Sequence, residues 1–199
     1  MKKSIILSIL VLTFNSVVNG QESKKYLKLK ANNYRYQEGY VVYHDSTVRE
    51  GLVKYNFISE AKKHSVVIFF GTDGVKRTYH PYELKSYGYT RHKFVSDNRS
   101  FYEIVQAGEK VSLYKLVVVS TYSTGAPPGM GASSFSSESE NLYVKRPDEK
   151  EFKYVRKKKF KEEFSKYFED CEILRDEIKS GSITHKNIKS IVIKYNNCH

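Results

Sequence analysis

The pattern of apolar and polar positions changes in character near residue 156. Before it, short β-branched and aromatic runs are separated by turn residues, which is typical of β-strands. After it, apolar residues recur every three or four positions, which is typical of amphipathic helices. We therefore predict an α+β fold, with a β-rich region over 39–155 and a C-terminal helical hairpin over 156–199.

The first part of the β-rich region predicts a series of short strands. They cover, in chain order, 39–57 with a polar break at His44–Thr47, then 65–70, 75–80 and 92–96. Turn residues fill 71–74, and Pro81 ends the strand before it because proline cannot donate to a strand ladder. Residues 82–89 predict one short turn that leads into the last strand. Five short strands with a single turn before the last would suit a small SH3-like or Sm-like barrel.

Two further pairs of strands are predicted downstream. The first pair covers 101–106 and 110–119, and the second is a hairpin over 141–155 with its turn at Pro147–Asp148.

The stretch between these pairs, 121–140, is rich in Gly, Pro, Ser and Thr. It has neither the lysine of a phosphate-binding loop nor the Gly-x-Ser-x-Gly pattern of a serine nucleophile. We predict a flexible hairpin loop, because this composition has little apolar area to bury. The alternative is a binding loop that orders on contact, with Met130 and Phe135 as its apolar anchors.

In the C-terminal region, Phe160, Phe164 and Phe168 share one face of a predicted helix. The same apolar stripe continues through Tyr167, Cys171, Leu174 and Ile178. Gly181 is expected to end this helix and Thr184 to cap the next one.

The N-terminus has the layout of a secretory signal peptide: basic residues at 2–3, an apolar run over 5–14, and small or polar residues up to Gly20. We predict that 1–20 is removed and that 21–38 is a linker. An uncleaved interfacial anchor is the alternative. The apolar run is too short to span a bilayer, and no later one is long enough. The expected location is the periplasm, the outer-envelope surface or the extracellular space.

The charge changes the picture of possible partners. The formal net charge is +12, and most of the basic residues are lysine. Such a chain could bind an envelope protein, a glycan or an anionic surface. We do not expect nucleic acid as a partner, because the protein is predicted to be exported and because fixed phosphate recognition favours arginine.

The two cysteines give the clearest chemical prediction. An even count in an exported chain implies a disulfide, here between Cys171 and Cys198. The first would open one helix of an antiparallel pair and the second would close the next. Only His199 lies beside them as a further ligand type, so no metal and no cofactor is predicted.

No catalytic set is visible in the sequence. The histidines are scattered, and a set such as His80 or His92 with Asp73 would need the fold to assemble it. The 17 tyrosines offer contact area with a polar tip. We therefore expect a non-enzymatic binding or structural module of the cell envelope or extracellular space. The alternative is a hydrolase with an unrecognised active site.

The C-terminal segment 167–198 resembles a family of uncharacterised exported proteins of Bacteroidetes. The matching positions are Tyr167, Phe168, Asp170, Cys171, Leu174, Glu177, Ile178, Tyr195, Asn196 and Cys198. Upstream, "GYVVYHDSTVREGLV", "YHPYELKSYGY" and "GEKVSLYK" are similar to the family's hairpin, its Pro-x-x-Ile/Leu turn and its Gly-x-Val-x-Leu-Tyr strand. The resemblance implies export and brings no activity with it.

Overall fold

The computed structural model describes residues 22–32, 34–55, 57, 59–124 and 133–198. It shows the predicted α+β fold, built on one antiparallel sheet of ten described strands. The strands are β1 (Tyr36–Tyr43), β2 (Val48–Lys54), β3 (Val67–Gly71), β4 (Lys76–Tyr79), β5 (Leu84–Tyr89), β6 (His92–Ser96), β7 (Phe101–Gln106), β8 (Ser112–Thr124), β9 (Ser133–Lys145) and β10 (Lys153–Tyr154). The helices are α1 (Lys24–Ala31), α2 (Phe160–Tyr167), α3 (Glu172–Ser180) and α4 (Ile188–Asn196), with 3-10 helices at Glu60–His64, Pro81–Glu83 and His185–Asn187. None of these described helices is long and apolar enough to cross a membrane.

The strand order across the sheet is β10-β9-β8-β7-β6-β5-β1-β2-β3-β4. The predicted five-stranded unit does not form by itself, because β5 pairs with both β1 and β6 and the sheet continues to β10. The prediction of a turn over 82–89 followed by a single strand is also wrong. Residues 84–96 form a hairpin, β5–β6, which reverses at Thr90–Arg91 with Thr90 in the left-handed region at φ 50°.

The β1–β5 part of the sheet curls onto itself. The hydroxyls of Tyr43 in β1 and Tyr79 in β4 are 2.6 Å apart, although these strands are not neighbours. The paired strands β1 and β5 approach closely at Gly39, where an added Cβ would lie 2.2 Å from the carbonyl oxygen of Gly88. The enclosed apolar residues form the N-terminal core: Val41, Val53, Val67, Phe69, Tyr79, Leu84, Tyr87, Tyr89, Phe94 and Phe101.

The predicted linker 21–38 contains α1 and the start of β1. Ser23 caps the helix by accepting a hydrogen bond from the Tyr26 backbone N–H at 3.1 Å. Tyr26 is buried against Leu52 and Phe70 on the outer face of the sheet. The helix therefore forms because one of its faces has an apolar surface to cover. The predicted signal peptide 1–20 lies outside the described residues.

The described residues of the predicted flexible loop 121–140, namely 121–124 and 133–140, are strand, and 125–132 lies outside the described residues. The β8 strand runs to Thr124 and β9 begins at Ser133, in an uninterrupted one-to-one register from Ser112↔Lys145 to Thr124↔Ser133. The serine-rich composition predicts a flexible loop. In a paired strand, however, the backbone groups of small polar residues are satisfied by hydrogen bonds to the partner strand.

The C-terminal region has two helices where a single one was predicted before Gly181. The chain turns between α2 and α3, and Cys171 becomes the N-cap of α3. Gly181 ends α3 with φ 85°, and Thr184 begins the next helical segment with a capping box, as predicted. The buried residues of these helices and of the sheet beneath them form the C-terminal core: Val111, Leu113, Val144, Val155, Phe160, Phe164, Phe168, Cys171, Leu174, Ile178, Ile188, Ile191, Val192 and Tyr195.

Both cores lie on the same face of the sheet, the inner face. Phe94, Glu103, Lys115 and Leu142 stand opposite one another on successive strands, β6 to β9. Directly opposed residues of antiparallel strands share a face. Phe94 belongs to the N-terminal core and Leu142 packs against the C-terminal one, so the two polar residues between them mark the boundary.

Candidate functional site: an aromatic cluster on the outer face of the sheet

Three neighbouring strands place tyrosines in one row on the opposite, outer face. Tyr114 of β8 stands opposite Tyr143 of β9, which stands opposite Tyr154 of β10. The row is a consequence of register, because a slip of one residue would turn each ring to the inner face.

Two further rings complete this surface. Phe152, in the turn before β10, stacks on Tyr102 of β7 with ring centroids 3.9 Å apart, and it meets Tyr114 edge-on at 4.8 Å. Tyr143 contacts both Tyr102 and Tyr154 at 5.2 Å. We call these five rings the outer aromatic cluster.

The outer aromatic cluster is only partly covered. Tyr102 at its base is 7% exposed and Tyr154 at its rim is 36% exposed, while the other three rings are half-buried. The described helices pack elsewhere, α2–α4 against the inner face and α1 against β2–β3. Aromatic rings that have neither full burial nor a covering layer are a feature of binding surfaces.

Polar groups frame the rings. The Tyr102 hydroxyl donates to Asp97 Oδ2 at 3.2 Å, and the Tyr154 hydroxyl donates to Asn141 Oδ1 at 3.1 Å. Burial raises the pKa of Tyr102 and of Tyr143, so both phenols keep their protons near neutral pH. Beside Phe152 lies a groove of about 370 Å³, whose lining residues are Asp97, Arg99, Tyr102, Lys150, Glu151 and Phe152.

The charges around the cluster are mostly positive. Lys145 Nζ lies 4.8 Å from the centre of the Phe152 ring, and the Arg156 guanidinium lies 5.7 Å from that of Tyr154. Arg99 and Lys150 line the groove. Within the described part of the chain, none of these four cations forms an ion pair.

Sequence reasoning missed this cluster, although one signal for it was present. The predicted hairpin over 141–155 brings Tyr143 close to Phe152 and Tyr154, but a turn centred on Pro147–Asp148 would place Tyr143 opposite Phe152, whereas its partner in the sheet is Tyr154. The contribution of Tyr114 depends on the register of β8 against β9, which the length of the connection does not fix.

Of the two predicted apolar anchors of the loop, the structure describes only Phe135. Phe135 lies in β9 opposite Tyr122 of β8, and both rings are well exposed, at 64% and 65%. Met130 lies outside the described residues.

The histidines considered for catalysis do not meet Asp73, which is held by Arg77 at 2.5 Å. His80 stacks on Tyr82. His92 Nδ1 instead lies 2.5 Å from Glu103 Oε1.

Glu103 is the centre of a charged cluster on the inner face. Its second oxygen accepts from Lys115 Nζ at 2.9 Å. Burial by itself would raise the pKa of Glu103, but the bonds from Lys115 and His92 outweigh it and the pKa is lowered. Both carboxylate oxygens therefore already have side-chain partners, Lys115 and His92, which suits a structural polar cluster.

Two other inner-face groups have unusual environments. His64 is 3% exposed, and its Nδ1–H donates to the carbonyl of Phe101 at 2.7 Å, while burial lowers its pKa. It lines a groove of about 380 Å³ between the 3-10 helix Glu60–His64 and residues 116–119 of β8. The Tyr89 hydroxyl is buried without a hydrogen-bond partner in the described ranges, and burial raises its pKa.

The predicted disulfide is confirmed. Cys171 and Cys198 are bonded, with Cα atoms 6.1 Å apart. It joins the start of α3 to the end of α4, as the sequence predicts.

The other residues of the C-terminal signature hold the helices to the sheet. Arg146, which follows β9, lies 4.9 Å from the Tyr167 ring and 5.1 Å from the Tyr195 ring, and it pairs with Asp170 at 3.3 Å. The Tyr195 hydroxyl donates to the other oxygen of Asp170. Burial, followed by this bond, raises the pKa of Tyr195 to about 12.

Asn196 completes the attachment of α4. Its Oδ1 accepts from the backbone N–H of Lys110 at 2.8 Å, and its Nδ2 donates to the carbonyl of Val111 at 2.8 Å. The polar and cysteine positions Tyr167, Asp170, Cys171, Tyr195, Asn196 and Cys198 therefore have structural partners.

Comparison with family models, curated proteins and solved structures finds no match for this chain. Function is therefore inferred from the side-chain geometry. Within that geometry, the outer aromatic cluster combines partly exposed rings, polar groups at their edges and cations without ion pairs.

Proposed function

We propose that the protein is a non-enzymatic binding module of the cell envelope or extracellular space, and that it binds a polysaccharide through the outer aromatic cluster. The observation that carries this proposal is the contiguous surface of five rings on a sheet face that the described helices leave open. A sugar ring has an apolar C–H face that packs on an aromatic ring, and hydroxyls at its edge that need hydrogen-bond partners. The cluster offers both kinds of contact.

The polar side chains at the edges of the rings suit a saccharide ligand. The Asp97 and Asn141 side chains accept hydrogen bonds at the edges of Tyr102 and Tyr154. A saccharide hydroxyl can bind to the remaining lone pairs of these oxygens. The groove beside Phe152 gives the next sugar unit a place to lie.

A hydrolase has less support. Its best candidate pair, His92 with Glu103, has Lys115 bound to the second carboxylate oxygen. A general base must reach the proton that it removes. In this cluster both oxygens already accept from side chains of the protein itself.

The test is co-sedimentation of the chain 21–199 with insoluble polysaccharides, including purified peptidoglycan, chitin and xylan. The double variant Phe152→Ala/Tyr154→Ala should weaken binding by at least about tenfold, the loss expected when central aromatic contacts are removed. The control is Tyr34→Ala, since Tyr34 is a more exposed ring, at 66%, and precedes β1, which β5 and β6 separate from β7 in the sheet order.

Two results would overturn the proposal. One is the absence of binding to every polysaccharide, and the other is equal loss in the control and the double variant. Release of reducing sugar ends during the incubation would favour the hydrolase instead.

A further inference from the structure

The β8 and β9 strands extend beyond the rest of the sheet as an arm. The β7 strand pairs with β8 only as far as Lys115, and β10 pairs with Tyr143 and Val144 of β9. Residues 116–124 and 133–141 are therefore paired only with each other in the described sheet. A two-stranded ribbon of this kind is marginally stable without further contacts.

Beyond Val119, where the 3-10 helix Glu60–His64 no longer lines it, the free edge of β8 has none of the usual protection against strand pairing. At the ends of the sheet, β4 is short and carries Lys76 and Arg77, and β10 has only two residues. Short and charged edges discourage a further strand from pairing. Over 116–124, by contrast, β8 has no charge, no proline and no break in register.

Large apolar side chains are also exposed on the arm. Val119 is 49% exposed, Tyr122 65% and Phe135 64%. The 3-10 helix Glu60–His64 forms one wall of the groove along 116–119, so the edge beyond Val119 is the more accessible part.

The charge pattern indicates which partner this edge fits. Charged residues make up 28% of the chain, yet 116–137 contains none. Two copies of a chain with net charge +12 repel each other over most of their surface, but this segment is neutral. The β9 edge is less suitable, because Glu138 and Glu140 would approach their own counterparts.

We propose that two copies of the protein associate by antiparallel pairing of their β8 edges, within 120–124, about a two-fold axis. Each edge then satisfies the backbone groups of the other, and the interface is self-complementary, as a two-fold axis requires. This inference is independent of polysaccharide binding, because the outer aromatic cluster lies at the other end of β8.

The experiment is analytical ultracentrifugation of the chain 21–199 from about 1 to 100 μM, the range in which a weak dimer forms. We compare Thr121→Lys with Ser136→Lys. These exposed residues stand opposite each other on β8 and β9, so the charge change is the same and only the strand differs. Thr121→Lys should raise the dimer dissociation constant at least about tenfold, because a lysine on the pairing edge opposes strand addition. Ser136→Lys should change it much less.

Hydrogen exchange supplies a second measurement. Amides of 120–124 should exchange more slowly as the concentration rises, while those of β4 should not change. A monomer at every concentration, or equal effects of the two lysines, would overturn the proposal. Phe152→Ala/Tyr154→Ala should leave the dimer intact, so the two proposals can fail separately.

Discussion

The N-terminal and C-terminal cores share one face of the sheet, yet different structural elements enclose them. The N-terminal core is enclosed by the curl of the sheet, with close backbone approaches at Gly39 and stacked rings such as Tyr87 on Phe94 at 4.4 Å. The C-terminal core is enclosed by separate helices that a disulfide and Asp170 hold in place. The first depends on how closely backbone segments approach, and the second on a few side-chain links. Substitutions should therefore act differently in the two halves.

The largest effect is expected from the disulfide. Cys171→Ser, Cys198→Ser and the double variant should each lower the free energy of unfolding by about 3–4 kcal/mol, because any of them opens a loop of roughly 28 residues. Denaturant melts measure this. Additive losses in the double variant would contradict it, since either change removes the whole bond.

Gly39→Ala tests the closure of the N-terminal core. It should cost about 1–3 kcal/mol, the usual cost of overpacking, because its Cβ would meet the Gly88 carbonyl oxygen at 2.2 Å. Gly181→Ala is the comparison in the helical half. No atom lies within 4 Å of its Cβ, so only the left-handed backbone opposes it, at about 1 kcal/mol. A larger loss for Gly181→Ala would reverse the contrast between the halves.

Tyr195→Phe tests the polar link of the C-terminal half. Loss of its hydrogen bond to Asp170 should cost about 1 kcal/mol. Burial by itself would raise the pKa of Asp170, but the Tyr195 bond and Arg146 lower it overall, so the variant should raise it toward the ordinary value. Asp170 stabilises the fold above its unfolded pKa, and this contribution is lost as the pH falls through its folded pKa. NMR titration of the carboxyl group measures the shift, and an unchanged pKa would refute the link.

The smallest expected effect is a dependence of folding stability on pH, which arises in the N-terminal half. Burial lowers the pKa of His64, so the unfolded chain binds a proton at a higher pH than the folded one. Its stabilising contribution is complete above the unfolded pKa of about 6.5 and is lost as the pH falls through the folded pKa. Stability should therefore decline between about pH 7 and pH 5. His64→Gln should flatten this slope and His44→Gln, at an exposed site, should not. A wild-type protein with constant stability over this range would contradict the prediction.

The sequence by itself determined the features that depend on short windows. Alternation and turn residues predicted the β1–β2 and β9–β10 hairpins, and helical spacing with Gly181 and Thr184 predicted the C-terminal helices. The cysteine pair was also predictable, because only one pairing exists within the chain. Local predictions failed where tertiary contacts override composition, as at α1 and in the serine-rich start of β9.

The tertiary structure alone decided which distant residues meet. Tyr114 joins the outer aromatic cluster through strand register, and His92 meets Glu103 across two strands rather than Asp73. Arg146 reaches Asp170 because the helices pack back onto the sheet. Periodicity fixes the face on which a side chain lies within its own strand or helix. Its neighbours on that face depend on register and on the curl of the whole sheet, which many weak contacts set together.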